Sequence, residues 1–141
     1  MRIVLDTNTL VSAVLSPDGS PRRLVNQARI QKFELCSSPV LMAELFDVLS
    51  REKFSKRLTQ AGLTPLHIVK ELRGLSYVVN PISVPRVIVN DADDDHVLAC
   101  ALMGNADLIV SGDKHLHSLG GNYKGIPIVR TVETLKIIEA Q

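Results

Sequence analysis

The chain has 141 residues, of which 45% are hydrophobic and 22% are charged, values typical of a globular protein large enough to bury a core. Its formal net charge of +1 excludes a nucleic-acid binder that relies on its overall field. A phosphate-bearing substrate would therefore need a local basic patch or bound cations. No apolar stretch approaches the length of a membrane span, and Asp6 interrupts the only N-terminal apolar run. We expect a cytoplasmic protein with no signal peptide and no membrane contact.

Predicted strands and helices alternate along the chain. Short apolar runs typical of buried strands lie at 3–5, 33–36, 77–79, 108–110 and 128–129, with a weaker candidate at 87–89. Helical periodicity, with Ser20 and Ser38 as N-caps before prolines, predicts helices at 21–30 and 39–49. Further helices are predicted at 9–15, 51–61, 65–74, 94–104 and 131–140, with a short one after 113. This order predicts an α/β sandwich with a mainly parallel sheet, and nothing marks a domain boundary.

Two aspartates stand directly after predicted buried strands. The run 3–5 ends at Asp6, and the run 108–110 leads through a Ser-Gly pair to Asp113. In open α/β sheets, ligands bind outside the carboxyl ends of the strands. If the two strands are neighbours, the two carboxylates come close together. The alternative is that each aspartate only caps the helix that follows it, since aspartate is a good N-cap.

Further acids are predicted to point inward from helices. In the helix that begins at Pro39, Glu44 lies only about 60° from the middle of the apolar stripe, at about 100° per residue. A second acidic group lies in the run 91–95. Counting back from the apolar face of the helix that follows places Asp94 near the centre of that face and Asp95 about a quarter-turn away. The alternative is that these acids are solvated, as is common at helix N-termini.

Together these positions put four carboxylates at one edge of the predicted sheet. Like charges that close cannot all stay ionised without cations. Oxygen-only ligands suit Mg²⁺ or Mn²⁺, and such ions activate water and stabilise the leaving oxygen of a phosphodiester. The sequence therefore predicts metal-dependent phosphodiester hydrolysis.

The same segments resemble the PIN-domain family, in order over nearly the whole chain. They are Leu-Asp-Thr-Asn at 5–8, the helical Glu44, Asp94 with the apolar run 97–102, and Ala-Asp-Leu-Ile-Val-Ser-Gly-Asp at 106–113. The similarity is greatest to compact bacterial and archaeal members described as VapC-like toxins of toxin–antitoxin pairs. It implies a single three-layer α/β/α domain over 1–141 and a Mg²⁺- or Mn²⁺-dependent endoribonuclease acting on RNA. It also implies an antitoxin protein that blocks the site, and commonly a homodimer.

The resemblance also assigns roles to individual residues. It implies a catalytic and metal-binding quartet of Asp6, Glu44, Asp94 and Asp113. Polar residues that would orient these acids or their waters are Asn8 and Ser111. Within the acidic run, Asp95 is the alternative third acid, and Asp91 is a candidate supporting acid.

The remaining polar residues carry weaker predictions. A basic set could line an RNA path, although a solvated charged face is the better interpretation; it comprises Lys53, Lys56, Arg57, Lys114 and His115. The histidines do not predict a zinc site, because no cysteine accompanies them and their spacing fits no zinc pattern; they are His96, His115 and His117. Cys36 and Cys100 lie in apolar segments and are predicted to be buried free thiols.

Rival functions are open at the level of sequence. A phosphatase that forms an aspartyl-phosphate would use Asp6 as its nucleophile, but the second aspartate expected two residues on is Asn8. A catalytically silent RNA- or antitoxin-binding module is a second rival. An RNA-processing nuclease without an antitoxin is a third.

Overall fold

This computed structural model describes residues 1–88 and 92–141. Within them, six strands form a central sheet. In chain order they are β1 (Arg2–Leu5), β2 (Glu34–Ser37), β3 (Ser76–Val78), β4 (Leu108–Val110), β5 (Asn122–Tyr123) and β6 (Ile126–Val129). Their order across the sheet is β3-β2-β1-β4-β6-β5. Every pair is parallel except β5 with β6. The predicted α/β fold with a mainly parallel sheet is confirmed.

The helices that flank this sheet are α1 (Thr7–Leu15), α2 (Ser20–Arg29), α3 (Pro39–Leu49), α4 (Glu52–Gln60), α5 (Pro65–Gly74), α6 (Ala92–Met103), α7 (Lys114–His117) and α8 (Thr131–Glu139). Ser38 and Thr64 cap α3 and α5, and each hydroxyl accepts a backbone N–H three residues on at 3.2 Å. The predicted cap at Ser20 is wrong by one residue, since Gly19 is the N-cap of α2. Across the described part of the chain, no helix has the length and apolar character that crossing a bilayer requires.

Helices cover both faces of the sheet because successive strand side chains point to opposite faces. Ile3 and Leu5 pack in one apolar core with residues of α1 to α5 and α8. Val4 packs in a second core with residues of α6 and α7. This is the three-layer arrangement that the resemblance implies. It also brings the carboxyl ends of β1 and β4 side by side, since Leu5 pairs with Val110.

The sequence pattern predicts a strand only at residues 128–129 and does not predict the hairpin that β5 and β6 form. Tyr123 pairs with Ile126 in antiparallel register. Between them, Lys124 and Gly125 have positive φ angles of 48° and 89°, as a two-residue hairpin turn requires. Lysine is a poor signal for such a turn, which explains why the sequence pattern does not predict it. Residues 87 and 88 are not in a strand, and Val89 lies outside the described residues.

Candidate functional site

Asp6 stands where β1 ends and α1 begins, and its carboxylate is fixed from two sides. Its Oδ1 accepts the backbone N–H of Thr9 at 2.9 Å, and its Oδ2 accepts the hydroxyl of Ser111 at 2.5 Å. Asp6 is 5% exposed. Asp6 can therefore cap α1 and also belong to a functional site.

Asp113 holds the equivalent position after β4. It is the N-cap of α7, and its Oδ1 accepts the backbone N–H of His115 at 2.6 Å. Its own backbone N–H donates to the Ser111 hydroxyl at 2.9 Å. Ser111 is completely buried and so links Asp6 to Asp113 through one hydroxyl group. This is a supporting contact of the kind that the resemblance implies for it.

The acidic run at the start of α6 separates into different surroundings. Asp94 and Asp95 are both buried, at 6% and 4% exposure. Asp94 lines a cavity that it shares with the rest of the predicted quartet. The Oδ1 of Asp95 instead accepts the backbone N–H groups of Val87 and Ile88 at 2.9 and 2.7 Å. Asp95 thus anchors the preceding segment to α6, while Asp91 lies outside the described residues.

One cavity at the carboxyl edge of β1 and β4 brings most of these residues together. Its volume is about 180 Å³, and its lining consists of Asp6, Thr7, Asn8, Glu44, Val48, Arg51, Asp93, Asp94, Val97 and Asp113. The predicted quartet and Asn8 belong to this lining. Ser111 and Asp95 do not line it; Ser111 contacts two of the acids, and Asp95 bonds to backbone. We refer to this space as the acidic cavity.

Sequence reasoning missed two charged residues of the acidic cavity, Asp93 and Arg51. Arg51 is exposed and is the one cation among the described lining residues. Arg51 lies after the end of α3 and is the N-cap of α4, so helical periodicity offers no signal for it. A guanidinium at this position is suited to bind a phosphate group that enters the cavity.

A larger open groove, of about 760 Å³, lies near the amino ends of the strands. Its lining includes Met1, Arg2, Glu34 and Asp107. Arg2 forms an ion pair with Glu34 at 2.8 Å and stacks 3.8 Å from the centre of the Tyr77 ring. The hydrogen bond to Glu34 raises the pKa of the Arg2 guanidinium. Because none of the predicted site residues lines this groove, we place the candidate site in the acidic cavity.

The donor atoms at the acidic cavity suit a divalent cation. One ligand atom from each of Asp94, Asp113 and His115 lies within 4.8 Å of the other two. Asp94 and Asp113 line the cavity together with Asp6 and Glu44, and His115 stands beside this lining. Carboxylate oxygens therefore predominate, and these are the donors that Mg²⁺ and Mn²⁺ prefer. The residues present fit the kind of ion that the sequence predicts.

The histidines considered in the sequence lie in different surroundings. The Nδ1 of His115 lies 3.5 Å from Oδ1 of Asp113, so this ring stands beside the acids. The Nε2 of His117 contacts the backbone carbonyl of Ser111 at 2.6 Å. His96 is half-buried on α6 and is not part of the group that could hold a metal. His115 is therefore the histidine to consider at this site.

Several cations of the predicted RNA path have partners within the protein. Lys56 forms an ion pair with Glu52 at 3.0 Å, one turn away on α4. Arg57 donates to the backbone carbonyl of Leu15 at 2.8 Å, where α1 ends. The Lys53 ammonium lies 4.8 Å from the centre of a neighbouring aromatic ring. These contacts favour a structural or solvated role for this part of the basic set.

Comparisons with known proteins agree with this architecture. A sequence model described as "PIN domain" matches residues 2–115. The uncharacterized protein MJ1680 of Methanocaldococcus jannaschii is 30% identical over 129 residues, which cover 91% of this chain and 81% of that protein. The crystal structure of PAE2754 from Pyrobaculum aerophilum matches with a TM-score of 0.66 at 17% sequence identity. The match covers 100% of this chain and 91% of the PAE2754 chain. The crystal structure of VapBC2 from Rickettsia felis, bound to a DNA fragment from their promoter, has a TM-score of 0.59 at 14% identity, with coverages of 92% and 98%.

Proposed function

Because this chain belongs to the PIN domain family, a family of nucleases, we propose that it is a Mg²⁺- or Mn²⁺-dependent endoribonuclease. The observation that carries the proposal is the meeting of Asp6, Glu44, Asp94 and Asp113 in one cavity. Four carboxylates in so small a space repel one another, and a divalent ion offsets that repulsion.

When bound, a divalent ion would activate water and stabilise the negative charge that develops on the leaving oxygen of the phosphodiester. The protein residues position the ligands for that ion. Asp6 cannot rotate freely, because Thr9 and Ser111 each hold one of its oxygens. Asp113 is held in the same way through Ser111 and the backbone of α7. Such preorganisation lowers the cost of assembling the site when substrate arrives.

Arg51 contributes the opposite charge at the same cavity. RNA would approach a group of acids that repels its phosphates, so a cation beside those acids favours correct placement of the chain. An arginine can hold two phosphate oxygens at once. We assign Arg51 to a phosphate next to the bond that is cut.

The biological part of the proposal is that the protein is the toxin of a toxin–antitoxin pair that acts in the cytoplasm. The resemblance to toxin members of the family and the likeness in fold to VapBC2 support it. The proposal includes an antitoxin protein that covers the acidic cavity and a homodimer of this chain.

The experiment is cleavage of a mixed RNA pool with and without Mn²⁺, using wild type and the variants Asp6→Asn and Asp94→Asn. We expect cleavage that requires the ion. The rate should fall at least about 100-fold in both variants, because each loses a ligand of the ion; this corresponds to about 2.8 kcal/mol of transition-state stabilisation. The matched control is Asp47→Asn, the same change on an exposed position of α3 outside the cavity. It should cleave like wild type.

The outcomes separate the rival functions. Full activity of Asp94→Asn with loss in Asp95→Asn would make Asp95 the third acid. Cleavage that is independent of metal, or equal in all variants, would contradict the proposed chemistry. If RNA binds but is never cut, the protein is a silent binding module. Cleavage by a protein that has no antitoxin partner would identify an RNA-processing nuclease.

A further inference from the structure

We propose that His115 is an additional ligand of the metal ion at the acidic cavity, and that its nitrogen makes the site favour Mn²⁺ over Mg²⁺. This inference rests on the proposed function, because it concerns the same ion. It goes further by naming a ligand that is not one of the four acids and by stating which ion the site selects.

The distances carry the inference. One donor atom from each of His115, Asp94 and Asp113 lies within 4.8 Å of the other two. In an octahedral site with bonds of about 2.1 Å, neighbouring ligands stand about 3 Å apart and opposite ligands about 4.2 Å apart. The observed separation is close to that range, so small side-chain rotations would bring the three donors to one ion.

The alternative role for His115 is an ion pair with Asp113 alone, but its geometry is poor. The Nδ1 to Oδ1 distance is 3.5 Å, which exceeds the usual hydrogen-bond range of about 2.7–3.2 Å. That separation lies between the spacings of neighbouring and of opposite ligands around one ion, so it is compatible with two ligands of the same ion. The same Oδ1 already accepts the backbone N–H of His115 at 2.6 Å.

The position of His115 is fixed by its backbone and its neighbours. The cap bond from its N–H to Asp113 sets the first turn of α7. The next residue, Leu116, is completely buried and anchors α7 in the second core. His117 then contacts the Ser111 carbonyl. The backbone of His115 is therefore held beside the acids, and its side chain can be removed without removing the backbone contact.

A nitrogen donor changes the ion that such a site prefers. Mg²⁺ is a hard ion that binds oxygen and keeps several waters, whereas imidazole suits later first-row metals. Mn²⁺ accepts carboxylates and imidazole together. A site of carboxylates with one imidazole should thus bind Mn²⁺ more tightly than an all-carboxylate site does, while Mg²⁺ gains little.

The test measures metal binding directly, with Mn²⁺ and Mg²⁺ as the probes. Mn²⁺ affinity is titrated by the loss of the free-ion signal in electron paramagnetic resonance, and Mg²⁺ affinity by competition. Pulsed measurements on the bound Mn²⁺ detect coupling to a ligating ¹⁴N. We expect this ¹⁴N coupling in wild type and its loss in His115→Ala. The same variant should bind Mn²⁺ roughly tenfold or more weakly, with its Mg²⁺ affinity nearly unchanged. His67→Ala, an exposed position on α5, is the matched control and should behave like wild type.

Failure of this inference is distinguishable from failure of the proposed function. If wild type binds Mn²⁺ and cuts RNA but shows no ¹⁴N coupling, or if His115→Ala keeps its Mn²⁺ affinity, then His115 is not a ligand and the nuclease proposal stands. If wild type binds neither ion and cuts no RNA, the proposed function itself is wrong. Circular dichroism of His115→Ala checks that the variant is folded.

Discussion

At the scale of single residues, one carboxylate can serve both the backbone and the site. Asp6 and Asp113 each cap a helix and each line the acidic cavity. An acid at a strand–helix junction gives the same sequence signal for both roles, which is why the sequence pattern alone does not separate them. The cap bonds also orient the carboxylates, so the two roles support each other.

Asp94 and Asp95 show how neighbouring identical residues acquire different surroundings. They are about 100° apart around the axis of α6. Asp94 therefore lines the cavity, while Asp95 reaches the backbone N–H groups of Val87 and Ile88. These bonds are to a charged acceptor within a buried setting, where each is worth more than an average hydrogen bond.

We predict that Asp95→Ala destabilises the protein by about 1–3 kcal/mol, because two backbone N–H groups lose their acceptor. The measurement is urea unfolding followed by circular dichroism, with Asp47→Ala as the exposed control. RNA cleavage per folded molecule should stay within a few fold of wild type. A stable variant that has lost cleavage would show instead that Asp95 belongs to the reacting group.

At the scale of elements, the C-terminal end of α6 packs closely against β2. The two thiols meet there: Cys36 and Cys100 are free and buried, with their Sγ atoms 3.9 Å apart. The prediction of buried free thiols is confirmed. The contact with Cys36 and burial raise the pKa of the Cys100 thiol, so it stays protonated at neutral pH.

Gly104, just after α6, is where this packing leaves no room for a side chain. A Cβ there would overlap the Cys36 Sγ and lie 3.2 Å from the Cys100 carbonyl oxygen. Because α6 carries Asp94 in its first turn, any shift that relieves this overlap also moves an acid of the cavity. Close packing of α6 on β2 thus helps to position the candidate site.

We predict that Gly104→Ala destabilises the protein by about 1–3 kcal/mol through overpacking. The matched control is Gly74→Ala in the last turn of α5, where a Cβ would meet no atom within 4 Å. That control should be neutral or up to about 1 kcal/mol more stable, since alanine favours helix. Thermal and urea unfolding measure both. Equal stability of the two variants would contradict the packing argument.

At the scale of the whole molecule, charge is distributed unevenly although the net value is only +1. Five acids of the described chain line one small cavity with a single arginine. A molecule of this kind has no general attraction for nucleic acid, so RNA binding should depend on a few local contacts. Arg51 is the cation that lines this cavity among the described residues, so it is our candidate for one of those contacts.

We predict that Arg51→Ala weakens binding of single-stranded RNA by about 1–3 kcal/mol and lowers the slope of log affinity against log salt by about 0.7, the value for one lost phosphate contact. Fluorescence anisotropy in the Asp6→Asn background with Mg²⁺ measures both without cleavage. Arg73→Ala on α5, an exposed arginine outside the acidic cavity, is the control. An unchanged slope would mean that Arg51 does not touch the phosphates.

Much of the architecture could be predicted because local patterns report directly on burial. The uniform apolar runs at β1 and β4 predicted a sheet covered on both faces, and Ser38 before a proline predicted where α3 begins. The hairpin at Lys124 and Gly125 was missed, because its turn depends on backbone angles that lysine rarely adopts. Arg51 was missed because it lies after the end of α3, as the N-cap of α4, where helical periodicity carries no signal.

The sequence by itself predicted the fold class from its order of strands and helices, and its resemblance to the PIN-domain family indicated the family and the four candidate acids. Only the tertiary structure decided which neighbours those acids have. It joined Asp6 to Asp113 through Ser111, turned Asp95 away to the backbone, and brought His115 and Arg51 to the same edge. The physical reason is that contacts between residues as far apart as 6 and 111 depend on how β1 and β4 pair and how α3 and α6 pack on the sheet. A linear pattern encodes which residues are buried but not which buried residues meet.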